Sequence, residues 1–213
     1  MRIAVEGLEH RYRLSADPVV GPLTHAFEPG TLTAVTGPSG SGKSTVLYLT
    51  ALMLTPDTGV VRWGNDDVHG LRDADRARLR ARHAGFVFQD AVLDLSRTAL
   101  QNVMEAAWLA GMDPDLARPR GRELLDRFGL EERADHLPGE LSGGQAQRVA
   151  LCRALVKSPD VIFADEPTGN LDVESADTVW AAMREAADAG ATVIVATHDA
   201  KRARKSDNHL RLV

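Results

Sequence analysis

The run Thr31-Leu32-Thr33-Ala34-Val35-Thr36 leads without a break into Gly37-Pro38-Ser39-Gly40-Ser41-Gly42-Lys43-Ser44-Thr45. An apolar helical pattern, Val46, Leu47, Leu49, Leu52 and Leu54, follows at once. A short β-branched run of this kind is a strand buried on both faces, and Pro29-Gly30 turns the chain into it. Strand, loop and helix in this order satisfy G-x-x-x-x-G-K-[ST] in its confirming context, which commits the chain to an α/β core. Glycines in such a loop let backbone N–H groups turn inward around phosphates, and the helix starting near Lys43 aims the positive end of its dipole at them. Lys43 is then expected to reach the β- and γ-phosphates of a nucleotide, and the Ser44 hydroxyl to ligate Mg²⁺.

A chain of 213 residues can bury one substantial core, so one domain, with room for an inserted subdomain, is expected. Lys and Arg total 25 against 30 Asp and Glu, a net charge of −5 that gives no general electrostatic footprint for nucleic acid. The start, Met1-Arg2-Ile3-Ala4-Val5-Glu6, meets charge at once and does not read as a signal peptide. No apolar stretch approaches the roughly 20 residues that cross a bilayer, so a cytoplasmic chain is expected, with any membrane role supplied through a partner. Cys152 stands alone, without a disulfide partner or metal-ligand spacing, and reads as a buried structural thiol.

From Ile3 to Leu14 apolar and polar residues partly alternate, which predicts an antiparallel edge strand turning at Gly7. Tyr12 in this stretch offers a ring that could stack on adenine or simply pack the sheet. The window Arg72 to His83 interleaves arginines with Asp73 and Asp75, lacks aromatics, and predicts a solvated helix rather than a nucleic-acid patch. Gly85-Phe86-Val87-Phe88 predicts a buried strand with Gln89 at its carboxyl end, where open α/β sheets bind ligands. A glutamine amide there can accept from a water on Mg²⁺ and donate to a phosphate oxygen, and so sense the γ-phosphate. Helical periodicity then takes over, from Thr98 to Ala110 and from Pro114 to Phe128.

Leu137-Pro138-Gly139 breaks the chain ahead of Leu141-Ser142-Gly143-Gly144-Gln145, where Ser142 can cap the helix carrying Gln147, Val149 and Ala150. Asp160-Val161-Ile162-Phe163-Ala164 predicts a buried strand ending in Asp165-Glu166. Neighbours on a strand point in opposite directions, so the two carboxylates take separate tasks. Asp165 is expected to bind Mg²⁺ through water, and Glu166 to orient and polarise an attacking water as general base. A turn-rich loop reaches Asp172, a residue suited to N-cap the helix Val173 to Ala189. The run Ala191 to Thr197 is a further buried strand with His198 at its end, placed to hold a γ-phosphate and fix the geometry around Glu166.

Two phosphate loops, Gly37 to Thr45 and Leu141 to Gln145, combined with Gln89, Asp165-Glu166 and His198, resemble the ATPase subunit of an ABC (ATP-binding cassette) system. The resemblance runs from Tyr12 to His198. It implies a P-loop NTPase core, residues 1–89 and 159–213, with an antiparallel β portion and a helical subdomain inserted at 90–158. It further implies that ATP and Mg²⁺ are the cofactors and that Thr45 meets the α-phosphate. Ser142, the N–H groups near Gly144, and Gln145 would face ATP held by an opposing subunit, with Asp172 at the dimer contact. The expected partners are a second copy or a paired ATPase subunit and a separate membrane permease docked near the Gln89 loop, with no nucleic acid.

The wording Ala164 to Asp172 is similar to the lipoprotein-releasing, macrolide-efflux and cell-division group, from which Ala146 and Cys152 depart. Within the resemblance the cycle either moves cargo or transmits force across the membrane without cargo. A soluble ABC ATPase acting on DNA or ribosomes fits less well, because the interval from Lys43 to Leu141 is too short for a coiled coil and the chain carries one cassette. The short tail leaves a final strand open.

Overall fold

The computed structural model describes residues 1–12, 17–68 and 70–213. Four strands, β1 (Ile3–His10), β2 (Val20–Phe27), β4 (Thr58–Trp63) and β5 (Asp66–Asp67), form an antiparallel sheet in the order β2-β1-β4-β5. Five others, β3 (Leu32–Thr36), β6 (Ala84–Val87), β7 (Val161–Asp165), β8 (Thr192–Ala196) and β9 (Asn208–Arg211), form a parallel sheet in the order β6-β7-β8-β3-β9. The tail therefore does make a last strand, seated on the free side of β3.

The helices are α1 (Lys43–Thr50), α2 (Asp73–His83), α3 (Ala99–Leu109), α4 (Pro114–Arg127), α5 (Gly143–Leu155), α6 (Val173–Asp188) and α7 (Ala200–Ala203). Successive residues of the parallel strands alternate between two cores, as the two-residue period of a strand requires. Ile162, Ala164, Val193 and Val195 face a core shared with Val103 of α3, Leu125 of α4, Leu151 of α5 and Met183 of α6. Val161, Phe163, Ile194 and Ala196 face a second core with Val46 and Leu49 of α1 and with Ile3, Val5, Phe27 and Trp63 of the antiparallel sheet. Trp63 stacks on Phe163 with ring centroids 5.9 Å apart, and its indole N–H donates to the Thr50 carbonyl, so the largest ring in this core buries its polar atom with a partner.

The antiparallel sheet corrects one expectation. β1 is hydrogen-bonded on both sides, to β2 and to β4, so it is interior and not an edge. Alternating burial shows that one face is wet; it does not count the neighbours within the sheet. Gly7 does not end the strand either. Its φ of +57° sits where the register shifts against both neighbours, which is a bulge. Leu14, the expected end of the strand, lies outside the described residues. The edges are β5 and β2, and in β2 Gly21 and Pro22 hide the strand from pattern reading; an edge position leaves a proline without a ladder bond to lose.

α2 has no buried residue, as its charge pattern predicts, and Arg72, Arg76 and Arg78 pair with Asp73 and Asp75 along it. Exposed pairs of this kind contribute little to stability. Between β6 and β7 the chain is helical, with α3 capped by a reciprocal Thr98–Gln101 box. Asn102, fully buried, ties the approach to α3: its amide donates to the carbonyls of Asp94, Arg97 and Thr98 and its oxygen accepts from the Asp94 N–H. Among the described residues no helix is long and apolar enough to cross a membrane.

The Gly7 bulge is backed by Gly59, which has a φ of +87° and on which an added Cβ would lie 2.4 Å from the Gly7 carbonyl oxygen. Both atoms belong to backbone and neither can swing away. Gly59→Ala is expected to lower the unfolding free energy by about 2 kcal/mol or more, read from urea denaturation.

Candidate active site

Because β3, β6, β7 and β8 run parallel, their carboxyl ends share one edge of the sheet, and the predicted site residues follow from it. After β3 the chain passes through Gly37 to Gly42 and enters α1 at Lys43, with Gly42 in the left-handed conformation at the cap. The Lys43 ammonium donates back across the loop to the carbonyls of Gly37 (3.1 Å) and Pro38 (2.9 Å). It thus folds back over the start of the Gly37 to Gly42 loop. One residue further, the Ser44 hydroxyl donates to Asp165 Oδ1 at 2.9 Å. A hydroxyl and a carboxylate converging in this way supply hard oxygen ligands that fit a Mg²⁺ ion completed by water and phosphate.

Asp165 and Glu166 diverge as expected, and the backbone enforces it. Asp165 closes β7, whereas Glu166 takes a φ of +44°, a left-handed conformation unusual for a non-glycine residue. Its N–H is held by the Ala196 carbonyl at 2.9 Å. Its carboxylate accepts from the Thr197 hydroxyl at 3.1 Å, and its other oxygen lies 2.8 Å from His198 Nδ1. Both carboxylate oxygens of Glu166 thus have a fixed partner, while the His198 ring is 73 % exposed and keeps Nε2 free to face a ligand.

Gln89 leaves the end of β6 and donates to Asn170 Oδ1 at 3.4 Å, within the loop that follows Glu166. Tyr12 is 44 % exposed, its ring lies edge-on to His10, and its hydroxyl meets Thr45 Oγ1 at 3.2 Å. The ring therefore stands beside the first turn of α1 with a face available to a base.

Ser142, Gly144 and Gln145 are arranged differently. Ser142 caps α5, its hydroxyl accepting from the Gln145 N–H at 3.2 Å while Gln145 Oε1 accepts from the Ser142 N–H at 2.8 Å. A Cβ on Gly144 would come within 2.8 Å of Ser175 Oγ, so glycine is needed for α5 to approach α6. Asp172 caps α6 through the Ser175 N–H and hydroxyl, both at 2.9 Å, and those bonds hold its carboxyl below the usual range. Their exposed first turns form an outward-facing surface, on which Val173 is 72 % exposed.

Two residues of the site escape a sequence reading. Tyr48 lies one helical turn beyond Ser44 and donates to Asp165 Oδ2 at 2.6 Å, so the carboxylate is gripped from α1 by two hydroxyls. The i, i+4 spacing on α1 was the available signal. Thr197, beside His198, holds Glu166. Cys152 is buried on α5, and burial pushes its thiol up to about 12, as suits an inert structural group.

A family model described as ABC transporter matches residues 20–169. The lipoprotein-releasing system ATP-binding protein LolD of Granulibacter bethesdensis is 42 % identical over 99 % of this chain and 93 % of its own length. LolD of Maricaulis maris is 42 % identical over 98 % of this chain and 92 % of its own. Among solved structures, the ATP-binding cassette MJ0796, captured as a post-hydrolysis dimer with ADP and Pi, superposes with a TM-score of 0.91 at 32 % identity, covering 99 % of this chain and 94 % of that one.

Burial and the bond to Asp165 raise the Tyr48 phenol above its ordinary value of 10.0. A raised folded-state pKa means that the unfolded chain loses this proton first, so the contribution is complete below pH 10 and declines above it. Tyr48→Phe is expected to cost about 2 kcal/mol at pH 7, the usual scale for a hydrogen bond to a charged group, with the gap to wild type narrowing above pH 10 in denaturant titrations.

Proposed function

The chain belongs to the ABC transporter family of ATP-binding proteins, and from that premise we propose that it hydrolyses ATP at sites completed by an opposing ATPase subunit and so drives a separate membrane permease. The single observation that carries this reading is the division of the phosphate-facing groups. Lys43, Ser44, Gln89, Asp165, Glu166 and His198 gather at one sheet edge, whereas Ser142, Gly144 and Asp172 form an outward surface capped within their own helices. Outward-facing helix N-termini at Ser142 and Asp172 are suited to a phosphate presented from outside the chain.

ATP would place its β- and γ-phosphates over the Gly37 to Gly42 loop, where Lys43 can exchange its two carbonyl acceptors for phosphate oxygens, and its α-phosphate beside Thr45. Mg²⁺, held by Ser44 and through water by Asp165 and Gln89, would neutralise charge on the β- and γ-oxygens. Glu166 acts on the attacking water: Thr197 and His198 flank both of its oxygens, so the carboxylate orients the water and accepts its proton as the water oxygen bonds to the γ-phosphorus and the bond from that phosphorus to the β,γ-bridging oxygen breaks, releasing ADP. His198 then faces the departing phosphate, and Gln89 reports its loss to the segment beyond β6. Tyr12 gives the adenine a stacking face.

The same reading assigns residues 1–89 and 159–213 to the ATPase core and 90–158 to a helical subdomain that turns against it as the dimer closes. The permease would dock next to the Gln89 loop. A groove of about 260 Å³ runs there between α2, β6, α3 and α5, walled by Ala81, Phe86, Ala106 and Leu109, with Arg153 along one side. Val92, Leu95, Trp108 and Leu109 leave apolar surface exposed in this region. The partner places the chain at the cytoplasmic face of a membrane. Full-length similarity to LolD proteins supports lipid-anchored proteins as the cargo.

Glu166→Gln in the purified chain is expected to retain ATP affinity and lose at least 100-fold in turnover. Undiminished hydrolysis would remove Glu166 from its role. Ser142→Glu is expected to bind ATP normally and fail to hydrolyse it, because the new carboxylate faces the partner's γ-phosphate; wild-type ATPase activity would remove the trans contact. For the cargo, the chain with its permease in vesicles is expected to release an inserted lipoprotein on ATP addition. Steady hydrolysis without release would favour force transmission instead.

A further inference from the structure

Gln147 lies on α5 beyond the Ser142 cap, is 2 % exposed, and has no part in the chemistry above. Its side-chain Nε2 donates to the Phe88 carbonyl at 2.6 Å and to the Pro167 carbonyl at 3.2 Å. Phe88 immediately precedes Gln89, and Pro167 immediately follows Glu166. The ladder between β6 and β7 ends at the Val87–Ala164 pair, so both carbonyls lie just past the point where sheet hydrogen bonds could hold these segments together. There the buried Gln147 amide joins them, with both of its hydrogens spent on the task, while the exposed Asn170 side chain adds bonds to Gln89 and Asp90 further out.

Glu166 also needs outside support, because its left-handed backbone persists only where its surroundings over-determine it. On one side the Ala196 carbonyl holds its N–H; on the other, Gln147 holds the next residue's carbonyl. Gln147 belongs to the rigid helix whose first turn carries Ser142 and Gly144. A shift of α5 caused by contact at that turn is therefore delivered, through one side chain, to the backbone on which Gln89 and Glu166 are mounted.

We infer that Gln147 is a positioning residue for hydrolysis, fixing Gln89 and Glu166 relative to one another from the helix that meets the opposing subunit's nucleotide. The inference deepens the hydrolytic reading above and rests on it. Gln147→Met keeps the length and volume of the side chain and removes both donors. In steady-state assays of the full chain it is expected to leave KM for ATP within about twofold of wild type and to lower kcat at least tenfold. Combined with Gln89→Ala, its effect on kcat should fall short of the product of the two single effects, because both act on one geometry.

A kcat within twofold of wild type, or full multiplicativity with Gln89→Ala, would overturn the proposal. So would a loss of kcat that merely tracks a fall in the folded fraction. If the Met variant does not fold, Gln147→Asn, which keeps the amide one methylene short, should show the same split between KM and kcat, and normal turnover by it would be equally fatal. Glu166→Gln in the same assay separates the two readings. Its hydrolysing ATP at the wild-type rate would remove the hydrolytic assignment; its inactivity beside a normally active Gln147→Met would remove the positioning role alone.

Discussion

The parallel ladders joining β6, β7, β8 and β3 determine where each nucleotide-facing residue can stand. Strands that run the same way end on the same side, so the Gly37 loop, Gln89, Asp165-Glu166 and His198 emerge together although the sequence scatters them. Both faces of the sheet are covered, by α3 to α6 on one side and by α1 with the antiparallel sheet on the other, and the resulting packing keeps the strand ends from drifting. The catalytic geometry is thus a consequence of strand direction and double-sided burial before any polar contact is considered.

Polar contacts then set individual side chains on that edge. Asp165 is held from α1 by Ser44 and Tyr48, and Glu166 from the end of β8 by Thr197 and His198. Adjacent carboxylates would repel if they shared a site; the left-handed turn at Glu166 sends them to different partners. The Ser142 and Asp172 caps are complete within the chain, which leaves the fronts of α5 and α6 as preformed outward-facing surfaces. Such a surface needs little rearrangement on meeting a second subunit, and that limits the entropy lost on closure.

What could be read from the sequence follows the range of the forces involved. The runs Thr31 to Thr36, Asp160 to Ala164 and Ala191 to Thr197 were legible because strands buried on both faces are short runs dominated by apolar and β-branched residues. α3 was legible from its helical periodicity, and the Ser142 cap because a cap and its partner lie three residues apart. β2 was not, since Gly21 and Pro22 interrupt it and only its edge position makes them tolerable. The interior place of β1 was equally hidden, because its neighbours come from distant segments. Tyr48 and Gln147 look like ordinary helix residues; their partners lie 117 and 59 residues away, and the only local trace is the i, i+4 spacing of Tyr48 from Ser44.

The proposed function requires that this chain hold one part of a site and lend the other part to an opposing subunit. Glu166→Gln bound to ATP should stop at the closed state, so the mass of that variant in solution, measured by light scattering with and without ATP, addresses that requirement most directly. The variant is expected to be a 23.0 kDa monomer that becomes a species of twice that mass when ATP is added, and that reverts when ATP is removed. A variant that stays monomeric at saturating ATP would contradict it.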